Sequence, residues 1–297
     1  MSSNQPDKKL IYVAGLPRSG STLLCQLLDH HPEVYSLGHS SPLSHALSGV
    51  RGSISGDPFL LSQLDNEFDL AYQRLANAFK GFVRGWFEET DKPWVVDKNR
   101  AWLAMVETLA EIDPEFRMLV CVRELVQLFG SVEAQHRKTV LIDTDDGSVG
   151  QTPYGRACTL FNGNGLVARN LTLVRSALEE LPFELRKRIH FVKFEQLVSK
   201  PLDVMMDVCE FAGLPIYAFN PKGLTVRTSE SDSHYRYKFR HQTYSEIKIP
   251  EQHIVVDRIK QDLVAQYDWY YKTFYPGLRA SGENKLESLP EATSQPL

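Results

Sequence analysis

No stretch of this sequence approaches the ~18 uninterrupted apolar residues of a membrane-spanning helix, so no membrane span is expected. Cysteine is scarce, with four residues (Cys25, Cys121, Cys158 and Cys209) in a chain of 297. None forms a C-x-x-C pair or has zinc-ligand spacing. Cys25 and Cys121 fall inside apolar runs and read as small buried hydrophobes, which fits a reducing compartment. His30 and His31 follow, but Cys25 and His30 fall on different faces of the predicted helix, so no metal is expected there. Basic charge is not in excess either, with 33 Lys plus Arg against 37 Asp plus Glu and a net charge of −4. That balance argues against a broad nucleic-acid footprint, and any anion site has to be local. The opening residues MSSNQPDKKLIYVAG carry no apolar signal core followed by a cleavage site, so a cytoplasmic location is expected.

What is present is an ordinary globular composition, 42% hydrophobic and 24% charged, enough to supply a substantial core. Short apolar runs at 10–14, 93–97, 116–122 and 188–194 read as buried parallel strands. Helical patterns occupy 21–30, 65–89, 101–112, 125–138, 159–181, 202–212 and 251–271. Residues 33–64 read as a long irregular loop with room for one short helix, and 143–155 and 214–250 read as irregular. Alternating strands and helices predict an α/β fold, a three-layer sandwich with a largely parallel central sheet. No fixed-period repeat and no mid-chain linker is visible, which predicts one domain over 1–275 and a disordered polar tail over 276–297.

Ligands of such sheets sit beyond the carboxyl ends of the strands, and three polar clusters follow strands here. The first is GLPRSGSTLL, from Gly15 to Leu24. It has the glycine frame of a phosphate-binding loop, G-x-x-x-x-G-K-[ST], but Ser21 stands where that loop has lysine. Two glycines and a helix N-terminus present backbone N–H groups to an anion. Ser19, Ser21 and Thr22 add hydroxyls, and Arg18 adds a planar fork suited to phosphate or sulfate oxygens. The second cluster is Asp97-Lys98-Asn99-Arg100. It reads equally as ligand-facing charge, as a magnesium-holding aspartate, or as a helix start capped by Asn99. The third is RELVQLFGS, which puts Arg123 at a strand end and Ser131 eight residues on. The pair could hold a second anion, or be a basic strand end and a small helix contact.

Taken together and in order, these stretches resemble the sulfotransferases that use 3'-phosphoadenosine 5'-phosphosulfate (PAPS), with some similarity to the branch containing protein-tyrosine sulfotransferases. PRSGST matches that family's P-[KR]-S-G-[ST]-[ST] loop, and Arg123 and Ser131 have the spacing of its R-x7-S motif. DKNR matches the start of its D-K-x-P segment. LLDHHPEV (27–34) and FEQLVSKP (194–201) match further family segments.

The resemblance implies sulfuryl transfer from PAPS to an acceptor hydroxyl or amine by in-line displacement, leaving adenosine 3',5'-bisphosphate (PAP), with no metal. It implies that Pro17, Arg18, Ser19, Gly20, Ser21 and Thr22 bind the 5'-phosphosulfate and that Arg123 and Ser131 bind the 3'-phosphate. Arg18 and Lys98 would stabilise charge during transfer, and Asp97 and Glu124 would be structural. His39 stands where the protein-tyrosine branch has a glutamate, a departure that argues against that subclass. It becomes the expected general base, with His45 and Glu33 as rivals. By analogy with a late basic loop in the family, Arg236, Lys238 or Arg240 would touch the 3'-phosphate and an aromatic of the 236–244 stretch would stack on adenine; a solvated basic loop is the other reading of that stretch. The partner is a small-molecule or biopolymer acceptor bearing a hydroxyl, not nucleic acid. Two other readings stand beside this one, a P-loop kinase with a degenerate loop and a non-catalytic nucleotide-binding protein of the same fold.

Overall fold

The computed structural model describes residues 8–138, 140–141, 152–226 and 243–278. The first described elements are β1 (Lys9–Gly15), α1 (Ser21–Asp29), β2 (Val34–Ser40), α2 (Leu43–Ile54), α3 (Pro58–Asn66) and α4 (Phe68–Gly85). Next come β3 (Trp94–Lys98), a 3-10 turn over Arg100–Met105, α5 (Val106–Ile112), β4 (Arg117–Val122) and α6 (Leu125–Lys138). After these follow α7 (Pro153–Phe161), α8 (Leu166–Glu179), α9 (Phe183–Arg186), β5 (Ile189–Lys193), α10 (Phe194–Ser199) and α11 (Pro201–Ala212). The last described helices are α12 (Asp257–Gln266) and α13 (Asp268–Phe274).

The five strands form one sheet in the order β2-β3-β1-β4-β5, and each neighbouring pair is parallel. Side chains alternate across it, as the period of a strand requires. Leu10, Tyr12 and Ala14 of β1 join a core with α2, α4 to α8, α12 and α13. Ile11 and Val13 join the opposite core with Leu24, Leu27 and Leu28 of α1 and Met205, Val208 and Ala212 of α11. Both faces are covered, which is why the strands read as unbroken apolar runs.

The sheet has five strands where the sequence predicts four, and the difference lies in 33–64, which is not an irregular loop. Its strand β2 (VYSLGHS) sits at the sheet edge, and its register with β3 shifts between Ser36 and Ser40. A serine- and glycine-containing edge strand buried on part of one side gives little apolar signal. Helix α3 buries no residue, so it has no core-facing stripe to read. Its start is nevertheless written locally, because the Asp57 carboxylate accepts from the N–H groups of Phe59 and Leu60 with Pro58 at the first position, a standard cap. The predicted helix over 159–181 is two helices. Gly165 lies at the break, where an added Cβ would meet Thr159 O at 2.2 Å. The predicted helix over 251–271 begins only at Asp257 and breaks at Tyr267.

The chain turns to opposite sides after β1 and β4, which are neighbours in the sheet. That switch point places a crevice at their carboxyl ends, the default ligand position in an open α/β sheet.

Candidate active site

A cleft of about 870 Å³ opens there, lined by the loop after β1, the ends of β3 and β4, α6, α8 and the 244–253 segment. The loop after β1 is held in a conformation that ordinary side chains avoid. Gly15 has φ 125 and Gly20 has φ 89. A Cβ at Gly15 would lie 2.1 Å from Cys121 O, and one at Gly20 would lie 2.5 Å from Phe194 Cδ2. Leu16 N donates to Cys121 O at 2.9 Å, and Ser19 Oγ donates to Leu16 O at 2.5 Å. Arg18 has φ 60 and is the one non-glycine residue with positive φ among the described residues. Such strain costs on the order of 1–3 kcal/mol and gathers at ligand clamps. Helix α1 begins at Ser21 with no side-chain cap, and its first residues Ser21, Thr22 and Leu23 line the cleft, an arrangement that suits an anion. Gly15→Ala is expected to destabilise the fold by at least about 3 kcal/mol through overpacking and a forbidden φ. A denaturation midpoint equal to the wild type would contradict this tight approach of β1 to β4.

Beside the loop, Lys98 ends β3. It is only 7% exposed, and its Nζ donates to Thr22 Oγ1 at 3.1 Å. One cation and one hydroxyl thus converge where the loop meets α1. Asp97 does not face the cleft. It is 1% exposed and accepts from Trp102 Nε1 at 2.5 Å, which is a structural contact.

A second cationic cradle lies at the end of β4. Arg123 Nη1 donates to Arg18 O at 2.9 Å, and Arg18 Nε donates to Ser131 Oγ at 3.3 Å. The two arginines and Ser131 therefore form one unit, and the Arg18 side chain reaches toward this second cradle. Arg123 Cζ stacks 4.4 Å over the Phe194 ring, the same ring that packs on Gly20. Arg123 Nε is buried and meets no hydrogen-bond partner among the described residues. Burial first of all pulls the guanidinium down to about 10, with nearby Glu195 opposing and Arg18 adding to the fall; it stays a cation at neutral pH. A buried donor with an open position is the feature an anion would satisfy.

The backbone under Arg123 is clamped. Tyr270 Oη donates to Arg123 O at 2.8 Å. Glu124 N donates to Glu195 Oε1 at 3.0 Å, and Tyr275 Oη donates to Glu195 Oε2 at 2.8 Å. Glu124 caps α6 through the N–H groups of Val126 and Gln127. Helix α13 and the FEQL stretch thus fix Arg123 from behind.

The family model described as "Sulfotransferase family" matches residues 11–218. This chain belongs to the sulfotransferase family. Among solved structures, the sulfotransferase domain from the curacin biosynthetic pathway is similar over 89% of this chain and 98% of its own, at 17% identity with a TM-score of 0.51. The sulfotransferase domain from the Synechococcus PCC 7002 olefin synthase matches 73% of this chain and 77% of its own, at 17% identity with a TM-score of 0.41. Sulfotransferase STF9 from Mycobacterium avium matches 72% of this chain and 66% of its own, at 17% identity with a TM-score of 0.42. None of the curated proteins compared matches by sequence.

In this sulfotransferase, residues 17–22, Lys98, Arg123 and Ser131 come together around one cleft. His39 does not join them. It lies in β2, half-buried, and is not part of the cleft wall. His45, on α2, does line the cleft, and its Nδ1 lies 3.3 Å from Asn99 Nδ2. The other Asn99 contacts, Nδ2 to Ser41 O and Oδ1 from Ala101 N, fix that amide with its NH2 toward the imidazole. His45 Nδ1 is therefore the acceptor. Arg236, Lys238 and Arg240 lie outside the described residues. Tyr244, from the same stretch, lines the cleft, with Lys248 Nζ 4.2 Å from its ring centroid. Gln127, Gly130 and His253 also belong to the neighbourhood of Ser131, and sequence reasoning missed them. The glycine inside a helical stretch was the available signal, since such a glycine costs ~1 kcal/mol and usually has a packing reason. No group of three or more metal-ligating residues occurs among the described residues, and none of the described helices is long and apolar enough to cross a membrane.

Proposed function

We propose that this sulfotransferase uses PAPS as donor and moves its sulfuryl group in line to an acceptor hydroxyl or amine. The observation that supports the reading is the pair of clusters of cationic and hydroxyl side chains, Lys98 with Thr22 and Arg123 with Ser131, the second joined to the loop through Arg18. A donor with a 5'-phosphosulfate and a separate 3'-phosphate has two anionic ends to satisfy them. The loop after β1 lines the cleft from Gly15 to Leu23, and Arg123 Nε is a buried donor with no partner among the described residues, so the residues fit that nucleotide. A triphosphate kinase fits worse. The loop lysine is absent, and the aspartate it would need for magnesium is bonded to Trp102 away from the cleft.

When bound, the donor supplies an activated sulfuryl group and a bisphosphate leaving group. The chain's own part is alignment and charge stabilisation, as in phosphoryl transfer. Loop amides with Ser21 and Thr22 hold the 5' end, and Lys98 supplies positive charge where negative charge develops. Arg123, Ser131 and the Arg18 side chain hold the 3' end. His45, rather than His39, takes the acceptor's proton. Its Nδ1 lone pair rests on a long contact with Asn99 that an acceptor hydroxyl can replace. The acceptor is a hydroxyl-bearing small molecule or biopolymer.

Thermal-shift titration tests the donor. Adenosine 3',5'-bisphosphate at ~100 times its dissociation constant adds about 2.7 kcal/mol, expected to raise the midpoint by a few degrees. Stabilisation by ATP with magnesium and none by the bisphosphate would overturn this reading in favour of the kinase.

A further inference from the structure

The face of α6 that carries Ser131 also holds a segment from far along the chain. Gln127 lies one helical turn before Ser131, and its carboxamide brackets the backbone of His253. His253 N donates to Gln127 Oε1 at 2.8 Å, and Gln127 Nε2 donates to His253 O at 3.3 Å. Between Gln127 and Ser131 stands Gly130, a glycine in a helix interior. An added Cβ there would lie 2.2 Å from His253 Cβ and 2.8 Å from its Cγ. The helix surface is thus cleared for this one side chain. His253 lines the cleft together with Arg18, Arg123 and Ser131, and it is half-buried.

We infer that His253 is a fourth member of the second anion cradle and that, as its protonated imidazolium, it donates to the donor's 3'-phosphate. The inference rests on the donor reading above.

The charged groups acting on the ring come from three elements, Arg18 of the β1 loop, Arg123 after β4 and Arg137 of α6. Glu246 and Lys248 line the same cleft from the segment that precedes it. Burial, and then Arg123, Arg18 and Arg137, push the imidazole below the usual histidine value. In the free protein it is therefore neutral at neutral pH. A phosphate dianion placed among these cations reverses their effect and favours the charged ring. The histidine pKa is thus higher in the bound state than in the free state, and binding takes up a proton between the two values. Affinity is greatest below the free-state value and falls as pH rises through the bound-state value.

The test is calorimetric titration of the full chain with adenosine 3',5'-bisphosphate in two buffers of different ionisation enthalpy. It is run above about pH 7, where the phosphate's own second ionisation is largely complete. The wild type is expected to take up a fraction of a proton and to bind more weakly as pH rises. His253→Gln is expected to lose that uptake and to bind about tenfold more weakly at the acid end, the low end for a hydrogen bond to a charged group. His253→Arg, which keeps a fixed cation, is expected to retain affinity and flatten the pH dependence. Adenosine 5'-monophosphate, which lacks the 3'-phosphate, is expected to bind without proton uptake. Equal proton uptake by wild type and both variants overturns the role of His253 and leaves the donor reading intact. No binding of the bisphosphate at all overturns the donor reading, and this inference with it.

Discussion

Lys98→Ala is expected to lower kcat by about 10²- to 10³-fold, the scale for removing one preorganised donor from a developing charge. Bisphosphate affinity should change by no more than about threefold, because a contact made mainly in the transition state contributes little to product binding. The expectation follows from position. Lys98 is buried at the end of β3 and held by Thr22 at the mouth of the loop, beside the site assigned to the 5' end. Arg18→Ala is expected to behave differently. The Arg18 side chain bonds Ser131 and the Arg18 carbonyl accepts from Arg123, so Arg18→Ala should weaken nucleotide binding as well as turnover. Steady-state kinetics with a bisphosphate binding curve separates the two residues. A Lys98→Ala enzyme with wild-type kcat would remove this lysine from charge stabilisation.

His45→Ala is expected to reduce sulfuryl transfer by about 10²- to 10⁴-fold, the range for loss of a general base, whereas His39→Ala should stay within about twofold of wild type. The two histidines are six residues apart in sequence, but β2 and α2 carry them to different surroundings. Only His45 faces the cleft, and a base has to reach the proton it removes. The measurement is turnover with a fixed acceptor, alongside bisphosphate affinity, which should survive in both variants. Loss of activity in His39→Ala with full activity in His45→Ala would reverse the assignment.

The loop and the two motifs after β3 and β4 were legible in the sequence because each is local. A glycine pair next to an apolar strand, or an arginine and a serine one strand–helix unit apart, is complete within a few residues. The same holds for strands buried on both faces, whose continuous apolar runs leave one reading. What lay beyond reach was everything that depends on distant partners. Strand β2 is defined by pairing with β3, not by its own composition. The choice between His39 and His45 rests on where an edge strand ends and α2 begins. Gly130 looks like a flaw in a helix until His253, 123 positions later, is seen lying on it. The direction of the Arg18 side chain is likewise set by Ser131 across the crevice. The sequence by itself determined the layered α/β fold and the local residue patterns of the loop after β1 and the stretch after β4, since backbone conformation and apolar period act over short range. Only the tertiary structure decided how the cradles join and which histidines face the cleft, because those depend on parallel strands that pair residues far apart in the chain.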